Sequence, residues 1–287
     1  MKFAIVDNQR KEATSKTKGI CPVCHTPVIA KCGDIKAHHW AHETKQDCKN
    51  DRWETEGQWH RNWKNKFPSE WQEQIVNFNN EKNVADIKTP NNLVIEFQHS
   101  HITPEEQKAR ENAYKNMLWV VDGTRLKYDF SRFKKKIKEY SHSFFNLAKL
   151  YSVEFYDEVF PKNWLNSSVP IAFDFLGLEE ENTAEKLQKF LYILLPKEKV
   201  SPYYDDSAFL FCFSRKDFVP FIMEDKWNDF YQTLLSNIKH ILDKEKERRD
   251  KEWARFEQES IKAKKEWELV KKKKRLYFDK YGFKREL

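Results

Sequence analysis

The spacing of apolar positions predicts a helix followed by a β-hairpin in the first part of the chain. Apolar side chains recur at spacings near three, four or seven residues from 52 to 66, the periodicity of a helix with one buried face, and Pro68 ends that helix. These side chains are Trp53, Trp59, Trp63 and Phe67. Extended runs follow at 83–89 and 93–98, and the Pro-Asn-Asn segment between them indicates a hairpin turn.

A second helix and a buried strand follow the hairpin. Thr103 is a predicted N-cap and Pro104 takes the first helical position, so we expect a helix that runs to about Asn116. The apolar run 118–121 then predicts a buried strand. The order helix, strands, helix, strand predicts an α/β domain over 51–140, with polar residues at the strand ends.

The rest of the chain combines a strand-containing region with a long charged helix. Apolar runs at 169–175, 190–195 and 208–213 predict strands, and the sequence does not reveal whether they extend the same sheet. After Pro220 there is no Gly or Pro until Gly282, and Lys, Glu and Arg dominate. A thin apolar stripe at helical spacing predicts one long helix there. The stripe consists of Trp253, Phe256, Ser260, Ala263, Trp267 and Val270.

Composition restricts the class of protein. The 287 residues are 34% charged and 15% aromatic with only 6 Gly, which excludes collagen-like and low-complexity chains and argues against wholesale disorder. No apolar run approaches the roughly 18 residues of a membrane span. The apolar start at 1–6 is too short for a signal peptide. We therefore expect a cytoplasmic protein with no membrane partner.

The net charge of +7 is unevenly distributed. Residues 1–140 carry 25 basic and 19 acidic side chains, residues 141–230 carry 9 and 15, and residues 231–287 carry 18 and 11. Two basic regions therefore flank an acidic one. Basic surfaces favour polyanionic partners such as DNA, and the acidic middle is not expected to face DNA.

The cysteine and histidine spacing near the N-terminus predicts a zinc site. Cys21 and Cys24 are two residues apart, so both sulfurs of one turn reach a single tetrahedral Zn²⁺. His39 and His42 are the expected partners, and a site with four protein ligands would be structural. The competitors for the last two positions are His38, Cys32 and Cys48. The alternative is a hairpin with two small buried thiols and no metal.

A group of polar side chains between 56 and 98 predicts a catalytic site. Glu56, His60 and Lys64 share one helix face at four-residue spacing. Asp86 lies in the first strand of the hairpin. The second strand carries Glu96 and Gln98 on one side, because side chains alternate along a strand.

These side chains suit phosphodiester hydrolysis. Carboxylates on neighbouring strands hold a hard divalent cation, which acidifies a water and neutralises charge on the phosphate. A further polar or basic side chain orients the water or the phosphate. The alternative is that His60 and Lys64 are solvated, Glu96 is an edge charge and Gln98 completes a hydrogen bond.

Several motifs, in order, resemble the competence protein CoiA-like family. They are Cys21-x2-Cys24, Lys31-x-Gly33, His39-Trp-Ala-His42, Glu56-x3-His60-x3-Lys64, Ala85-Asp86-Ile87 and Ile95-Glu-Phe-Gln-His-Ser100, followed by Arg110 and Tyr114. The resemblance covers about residues 1–130. It implies a zinc-finger-like segment and a nuclease domain of the PD-(D/E)-x-K superfamily, a restriction-endonuclease-like α/β core with the order αβββαβ.

The resemblance also implies roles for individual residues. Asp86 and Glu96 resemble the carboxylates that bind catalytic Mg²⁺ or Mn²⁺, and Glu56 resembles the acidic residue of the first helix. Gln98 stands where the superfamily usually has Lys, so Lys64 or His60 is expected to supply the missing charge. Two residues of the following helix, Arg110 and Tyr114, either contact phosphate or pack, and Lys88 is a further candidate contact to nucleic acid.

The predicted organisation has four segments. They are a zinc-finger-like module (1–50), the nuclease core (51–140), an acidic strand-containing region (141–220) and a charged helical region (221–287). The expected activity is DNA hydrolysis in uptake and recombination during competence, or in defence against foreign DNA. Two rivals are a non-catalytic DNA-binding accessory and a nuclease subunit that needs a partner protein. The terminal helix is either solvated with a partner-facing stripe or a basic tail that follows the DNA backbone.

Overall fold

A computed structural model of the chain describes residues 1–34, 37–44, 48, 57–79, 81–126, 129–143, 150–180, 182–200 and 207–282. The chain forms two compact units, Met1–Gln232 and Thr233–Leu287. In the part of the chain that is described, no helix has the length and apolarity needed to cross a membrane. The four-segment organisation of the chain stays a prediction.

The N-terminal residues form a small antiparallel sheet of five strands. The strands are β1 (Phe3–Val6), β2 (Gln9–Glu12), β3 (Lys18–Ile20), β4 (Pro27–Lys31) and β5 (His39–His42). Their order in the sheet is β2-β1-β3-β4-β5. Ala4, Val28 and Trp40 are at most 2% exposed and form its core. Few apolar side chains are available to this sheet, and units this small usually depend on a metal, a disulfide or a packing partner for stability.

A nine-stranded sheet forms the centre of the first unit. Its strands are β6 (Gln72–Phe78), β7 (Glu81–Lys88), β8 (Val94–Gln98), β9 (Met117–Asp122), β10 (Ser141–Ser143), β11 (Leu150–Glu154), β12 (Ile171–Asp174), β13 (Phe190–Leu194) and β14 (Ser207–Ser214). The order is β10-β11-β14-β13-β12-β9-β8-β7-β6. Strands β8, β9 and β12 are parallel, and the other neighbours are antiparallel. The strands after residue 140 therefore extend the same sheet.

Seven helices accompany the sheets in the described residues. They are α1 (Gln58–Lys64), α2 (Pro104–Tyr114), α3 (Asp129–Tyr140), α4 (Tyr156–Val159), α5 (Lys197–Val200), α6 (Arg215–Met223) and α7 (Trp227–Tyr281). Thr103 caps α2 as expected, because its Oγ1 accepts a hydrogen bond from the Glu106 N–H at 3.2 Å. The long charged helix is confirmed as α7, which has 55 residues.

The order of elements around the hairpin is α1, β6, β7, β8, α2, β9, the expected αβββαβ. Strand β6 is the one element of this series that the sequence analysis missed. Its residues Gln-Glu-Gln-Ile-Val-Asn-Phe are mostly polar, and only Gln72 and Glu73 are buried. Strand prediction relies on apolar alternation, which β6 lacks.

Aromatic packing and one carboxylate hold α1 on the sheet. Trp63 stacks on Phe97 of β8, with ring centroids 5.7 Å apart. The buried Asp174 at the end of β12 accepts hydrogen bonds from the indole N–H groups of Trp59 at 3.0 Å and Trp63 at 2.9 Å. Arg215 neutralises that carboxylate, with Nε 3.1 Å from Oδ1. The face of α1 that carries His60 and Lys64 is thereby fixed in orientation.

Candidate functional site

Three buried carboxylates lie on three adjacent strands at one level of the large sheet. Glu73 is on β6, Asp86 on β7 and Glu96 on β8, and none of the three is more than 9% exposed. The pairs Gln72 with Ile87 and Gln74 with Ala85 place Glu73 opposite Asp86. The Asp86 N–H donates to Glu96 Oε1 at 3.2 Å. Ionised carboxylates in such a position require counter-charges or a bound cation.

Each carboxylate has a cationic neighbour. Lys64, which is fully buried, lies 2.8 Å from Glu73 Oε1 and 3.7 Å from Asp86 Oδ1 through its Nζ. On the other side of the row, Arg110 donates from NH1 to Glu96 Oε2 at 2.8 Å. These cations stabilise the carboxylates and hold them in fixed positions.

His60 approaches Asp86 from α1. Its Nε2 lies 2.9 Å from Asp86 Oδ2, although this nitrogen makes no well-directed hydrogen bond. The Asp86 Oδ2 atom already accepts the Phe97 N–H at 2.9 Å. His60 and the Phe97 N–H therefore approach the same carboxylate oxygen of Asp86.

The backbone at Glu73 is strained. Its φ of 46° lies in the left-handed region, which is uncommon for a residue with a long side chain inside a strand. The surrounding hydrogen bonds maintain this conformation, since Glu73 accepts the N–H of Lys2 at 2.7 Å and of Phe3 at 3.1 Å. Glu73 therefore connects β1 of the small sheet to Lys64 of α1.

The environment separates the pKa values of the three carboxyl groups. Burial opposes ionisation of Glu73, but the Lys64 ammonium, the N-terminal amino group and the Lys2 N–H together outweigh it and lower the pKa to about 2. Burial also opposes ionisation of Asp86, and His60 and Lys64 hold the pKa of that carboxyl well below its usual range. Burial and the Asp86 charge raise the pKa of Glu96 to about 7, although Arg110 opposes the shift. Glu96 thus titrates near neutrality beside an ionised Asp86.

A second group of side chains converges in the small sheet. The sulfur atoms of Cys21, Cys24 and Cys48 and a ring nitrogen of His42 all lie within 4.8 Å of one another. Cys24 Sγ is 3.2 Å from His42 Nε2. Three thiols and one imidazole are a typical donor set for a structural Zn²⁺. The residues present therefore fit zinc.

The cluster contains three of the four expected zinc ligands. His39 is the exception, and its place is taken by Cys48, one of the competitors. His39 and His42 lie in strand β5 three positions apart, so they project to opposite faces. The His39 Nδ1 atom instead lies 2.9 Å from the Ala37 carbonyl. Cys32 is also outside the cluster and donates to the Ala13 carbonyl at 3.6 Å.

Comparison with known families links both groups to one kind of protein. Residues 5–51 match the family described as competence protein CoiA, N-terminal domain. Residues 56–164 match competence protein CoiA, nuclease-like domain. The chain belongs to the competence protein CoiA family. Neither a curated protein nor a solved structure matches it.

The CoiA N-terminal match contains Cys21, Cys24, His42 and Cys48, and the nuclease-like match contains all three carboxylates of the row. The resemblance seen in the sequence is therefore confirmed at the level of the family. The nuclease-like match begins at Glu56, the carboxylate expected to assist from the first helix, and Glu56 lies outside the described residues.

The remaining candidates of the nuclease-like domain lie beside the carboxylate row. Gln98 is buried at the end of β8 and donates from Nε2 to the Ser100 carbonyl at 3.1 Å. Arg110 pairs with Glu96 and with Glu106, and Tyr114 is 8% exposed within the apolar core. Lys88 is half-buried at the end of β7. The packing of Tyr114 favours a structural contribution over contact with phosphate.

Glu73 is the member of the carboxylate row that the sequence analysis missed. The segment 69–82, between the predicted helix and the predicted hairpin, lacks apolar alternation and so gives no strand signal. One signal was present, since Glu73 is an acidic residue between a predicted helix and a predicted strand that both carry charged candidates. The pairing of β6 with β7 then brings it opposite Asp86.

Proposed function

We propose that the chain is a divalent-metal-dependent deoxyribonuclease of the PD-(D/E)-x-K type. The observation that carries the proposal is the adjacency of Asp86 and Glu96 on neighbouring strands, both buried and differing in pKa, inside the segment that matches a nuclease-like domain. The order αβββαβ is the one that this superfamily uses for its core.

The donor set of this site suits Mg²⁺ or Mn²⁺. Hard divalent cations prefer carboxylate oxygens, and Asp86 and Glu96 offer them beside each other. The ion would acidify a water and neutralise charge on the scissile phosphate. The cysteine-rich cluster is chemically different and suits a structural Zn²⁺.

The proposal assigns distinct roles to the residues of the chain. Asp86 and Glu96 hold the ion, and Glu56 assists from the chain segment that precedes α1. Lys64 is a positioning residue, because its ammonium holds Glu73 and Asp86 in place. His60, which lies beside Asp86, and Gln98 orient the water and the phosphate.

The family supports a proposal for the substrate and the biological role. We propose that the DNA is processed in uptake and recombination during competence, in the cytoplasm, with defence against foreign DNA as the alternative role. Lys88 and Arg110 are the proposed contacts to the DNA backbone near the site. The basic run Lys271–Arg275 is a further proposed contact that would make binding depend on salt.

A cleavage assay tests the proposal. Supercoiled, linear and single-stranded DNA are incubated with the full chain in Mg²⁺, in Mn²⁺ and in excess chelator. Asp86→Asn and Glu96→Gln should each abolish cleavage, whereas Glu105→Gln, an exposed acidic residue at the start of α2, should not. Cleavage by the wild type that is no faster than by Asp86→Asn would eliminate the nuclease hypothesis.

A second candidate function is a non-catalytic DNA-binding accessory in recombination. It is favoured because polar side chains around the carboxylates already bind groups of the protein itself. Lys64 binds Glu73, Arg110 binds Glu96 and Gln98 binds Ser100. This candidate predicts DNA binding that Asp86→Asn leaves unchanged, with no cleavage in either metal. A nuclease subunit that requires a partner protein predicts cleavage only when that partner is added.

A further inference from the structure

The terminal part of α7 presents an exposed seam with a coiled-coil repeat. Every residue from 247 to 282 is exposed. Trp253 is 69%, Phe256 62% and Trp267 61% exposed, and the Trp253 and Phe256 rings lie 5.9 Å apart. In proteins most helical stability comes from the packing of an apolar face, and this face is exposed to solvent in the single chain.

The seam alternates between three- and four-residue steps, which is the heptad pattern of positions a and d. Its residues, in order, are Trp253, Phe256, Ser260, Ala263, Trp267 and Val270. A period of 3.5 residues is the one that keeps such a seam facing the partner in a supercoiled helix pair.

The sizes of the seam residues are self-complementary in reverse order. Two large residues precede the small pair Ser260 and Ala263, and two large residues follow it. If two copies run antiparallel about a two-fold axis between Ser260 and Ala263, Trp253 meets Val270 of the second copy. Phe256 meets Trp267 of the second copy, and the small residues meet each other. Each large side chain then packs in an apolar layer without a central clash.

The charges that flank the seam change sign between Ser260 and Ala263. The residues at heptad position e, which lie beside the seam, are acidic before this point and basic after it. They are Asp250 and Glu257, then Lys264 and Lys271. In the antiparallel arrangement Asp250 faces Lys271 of the second copy, and Glu257 faces Lys264 of the second copy. On the other flank Glu252 meets Lys273 of the second copy, which is favourable, and Glu259 meets Glu266 of the second copy, which is not.

We propose that residues 250–273 of α7 pair with the same segment of a second copy of this chain as an antiparallel coiled coil. A parallel pair is less favourable because Glu257 would face Glu252 of the second copy, and Lys274, the next seam position, would meet its own counterpart. Its attractive flanking pairs would be of two kinds, Glu259 with Lys264 and Glu266 with Lys271, against three kinds in the antiparallel arrangement. The balance of charge therefore favours the antiparallel register.

Sedimentation of the full chain over a range of concentrations tests the pairing. The wild type should dimerise, and Trp267→Ala should weaken the dimer by at least about a hundredfold, because the residue occurs in two layers. Leu269→Ala is the matched control, since Leu269 is 58% exposed but lies off the seam. A wild type that stays monomeric up to its solubility limit overturns the proposal, as does a Leu269→Ala variant weakened as much as Trp267→Ala.

Charge reversal tests the orientation. Glu257→Lys and Lys264→Glu should each weaken self-association by about tenfold, because two attractive pairs become repulsive. An equimolar mixture of the two variants should form a heterodimer of near wild-type affinity, and so should the homodimer of the double variant. A parallel pair predicts that Glu257→Lys strengthens association by removing the repulsion from Glu252, and that result would overturn the antiparallel assignment. Circular dichroism verifies that each variant keeps its helix content.

Discussion

Lys64 Nζ donates a hydrogen bond to Glu73 Oε1 at 2.8 Å, and neither side chain is more than 4% exposed. The pair joins the helix and the strand that flank Asp86. Removal of one partner from such a pair leaves an uncompensated buried charge, which costs more than the pair itself contributes.

We expect Lys64→Met to lower the free energy of unfolding by about 3–5 kcal/mol, because Glu73 loses its counter-charge. Lys108→Met, at an exposed position of α2, should change it by less than about 0.5 kcal/mol. Urea denaturation monitored by tryptophan fluorescence measures both values. The double variant Lys64→Met/Glu73→Gln should recover part of the loss. Equal stability of Lys64→Met and Lys108→Met would show that the pair is unimportant.

The raised pKa of Glu96 predicts that the proposed binding of a divalent metal at the carboxylate row depends on pH. Because the ion requires the ionised carboxylate, the affinity for Mn²⁺ should fall roughly tenfold per pH unit below about pH 7 and level off above it. Titration calorimetry with Mn²⁺ between about pH 6 and about pH 8 measures this slope. The Glu96→Gln variant should bind Mn²⁺ weakly, with an affinity that does not change with pH. A wild type whose Mn²⁺ affinity is constant over this range would contradict the assignment of Glu96 as a metal ligand.

The same shift predicts how stability depends on pH without metal. The folded pKa of Glu96, about 7, exceeds its ordinary value of 4.5, so its contribution to stability is fully present below about pH 4.5 and is lost as the pH rises through about 7. Thermal unfolding of Glu96→Gln should lack this decline. Added Mn²⁺ should restore wild-type stability at higher pH, because it compensates the ionised carboxylate.

The cysteine-rich cluster predicts different effects for the substitution of Cys48 and of Cys32. Cys48→Ser should reduce bound zinc and the melting temperature, whereas Cys32→Ser should keep both near wild type, since only Cys48 lies in the cluster. His42→Ala and His39→Ala form a second matched pair with the same expectation. Metal analysis by mass spectrometry and thermal melts provide the measurements. Equal loss of zinc in Cys32→Ser and Cys48→Ser would refute this ligand set.

Asp174 supports α1 by accepting hydrogen bonds from the indole N–H groups of two tryptophans. Asp174→Asn should destabilise the first unit by about 3 kcal/mol, because Arg215 loses its buried counter-charge. It should also shift the tryptophan emission, since the single oxygen of an asparagine cannot accept from both indole N–H groups and from Arg215 as two carboxylate oxygens do. Asp217→Asn on α6 is the control. Unchanged emission in Asp174→Asn would mean that the carboxylate does not fix the helix.

Local regularities explain why several of the predicted site residues lie close together in the structure. His60 and Lys64 both reach Asp86 because helix periodicity puts them on one face, and Asp86 and Glu96 are adjacent because a hairpin aligns their strands. Glu73 was missed because its strand is polar. Cys48 could not be preferred over His39 before it was known that β5 is extended, since strand geometry separates the two histidines.

Sequence patterns could not predict which strands, far apart along the chain, become neighbours in the sheet. The position of β12 beside β9, and hence of Asp174 beside α1, depends on the order of nine strands. Hydrophobic runs identify such strands but do not determine their neighbours. The acidic region after residue 140 was therefore recognised as strand-containing, while its place in the same sheet was not.

The hydrogen bonds to Asp174 also determine when, during synthesis of the chain, α1 can make all of its contacts. Trp59 and Trp63 precede Asp174 by 115 and 111 residues, so the ribosome releases α1 long before the carboxylate that fixes it exists. That support for the helix carrying His60 and Lys64 becomes available only after β12 has been made and has joined β9. Until then a nascent chain can hold α1 through the stacking of Trp63 on Phe97 and the ion pairs of Lys64. The last buried contact that fixes this helix beside the carboxylate row is therefore added late in translation.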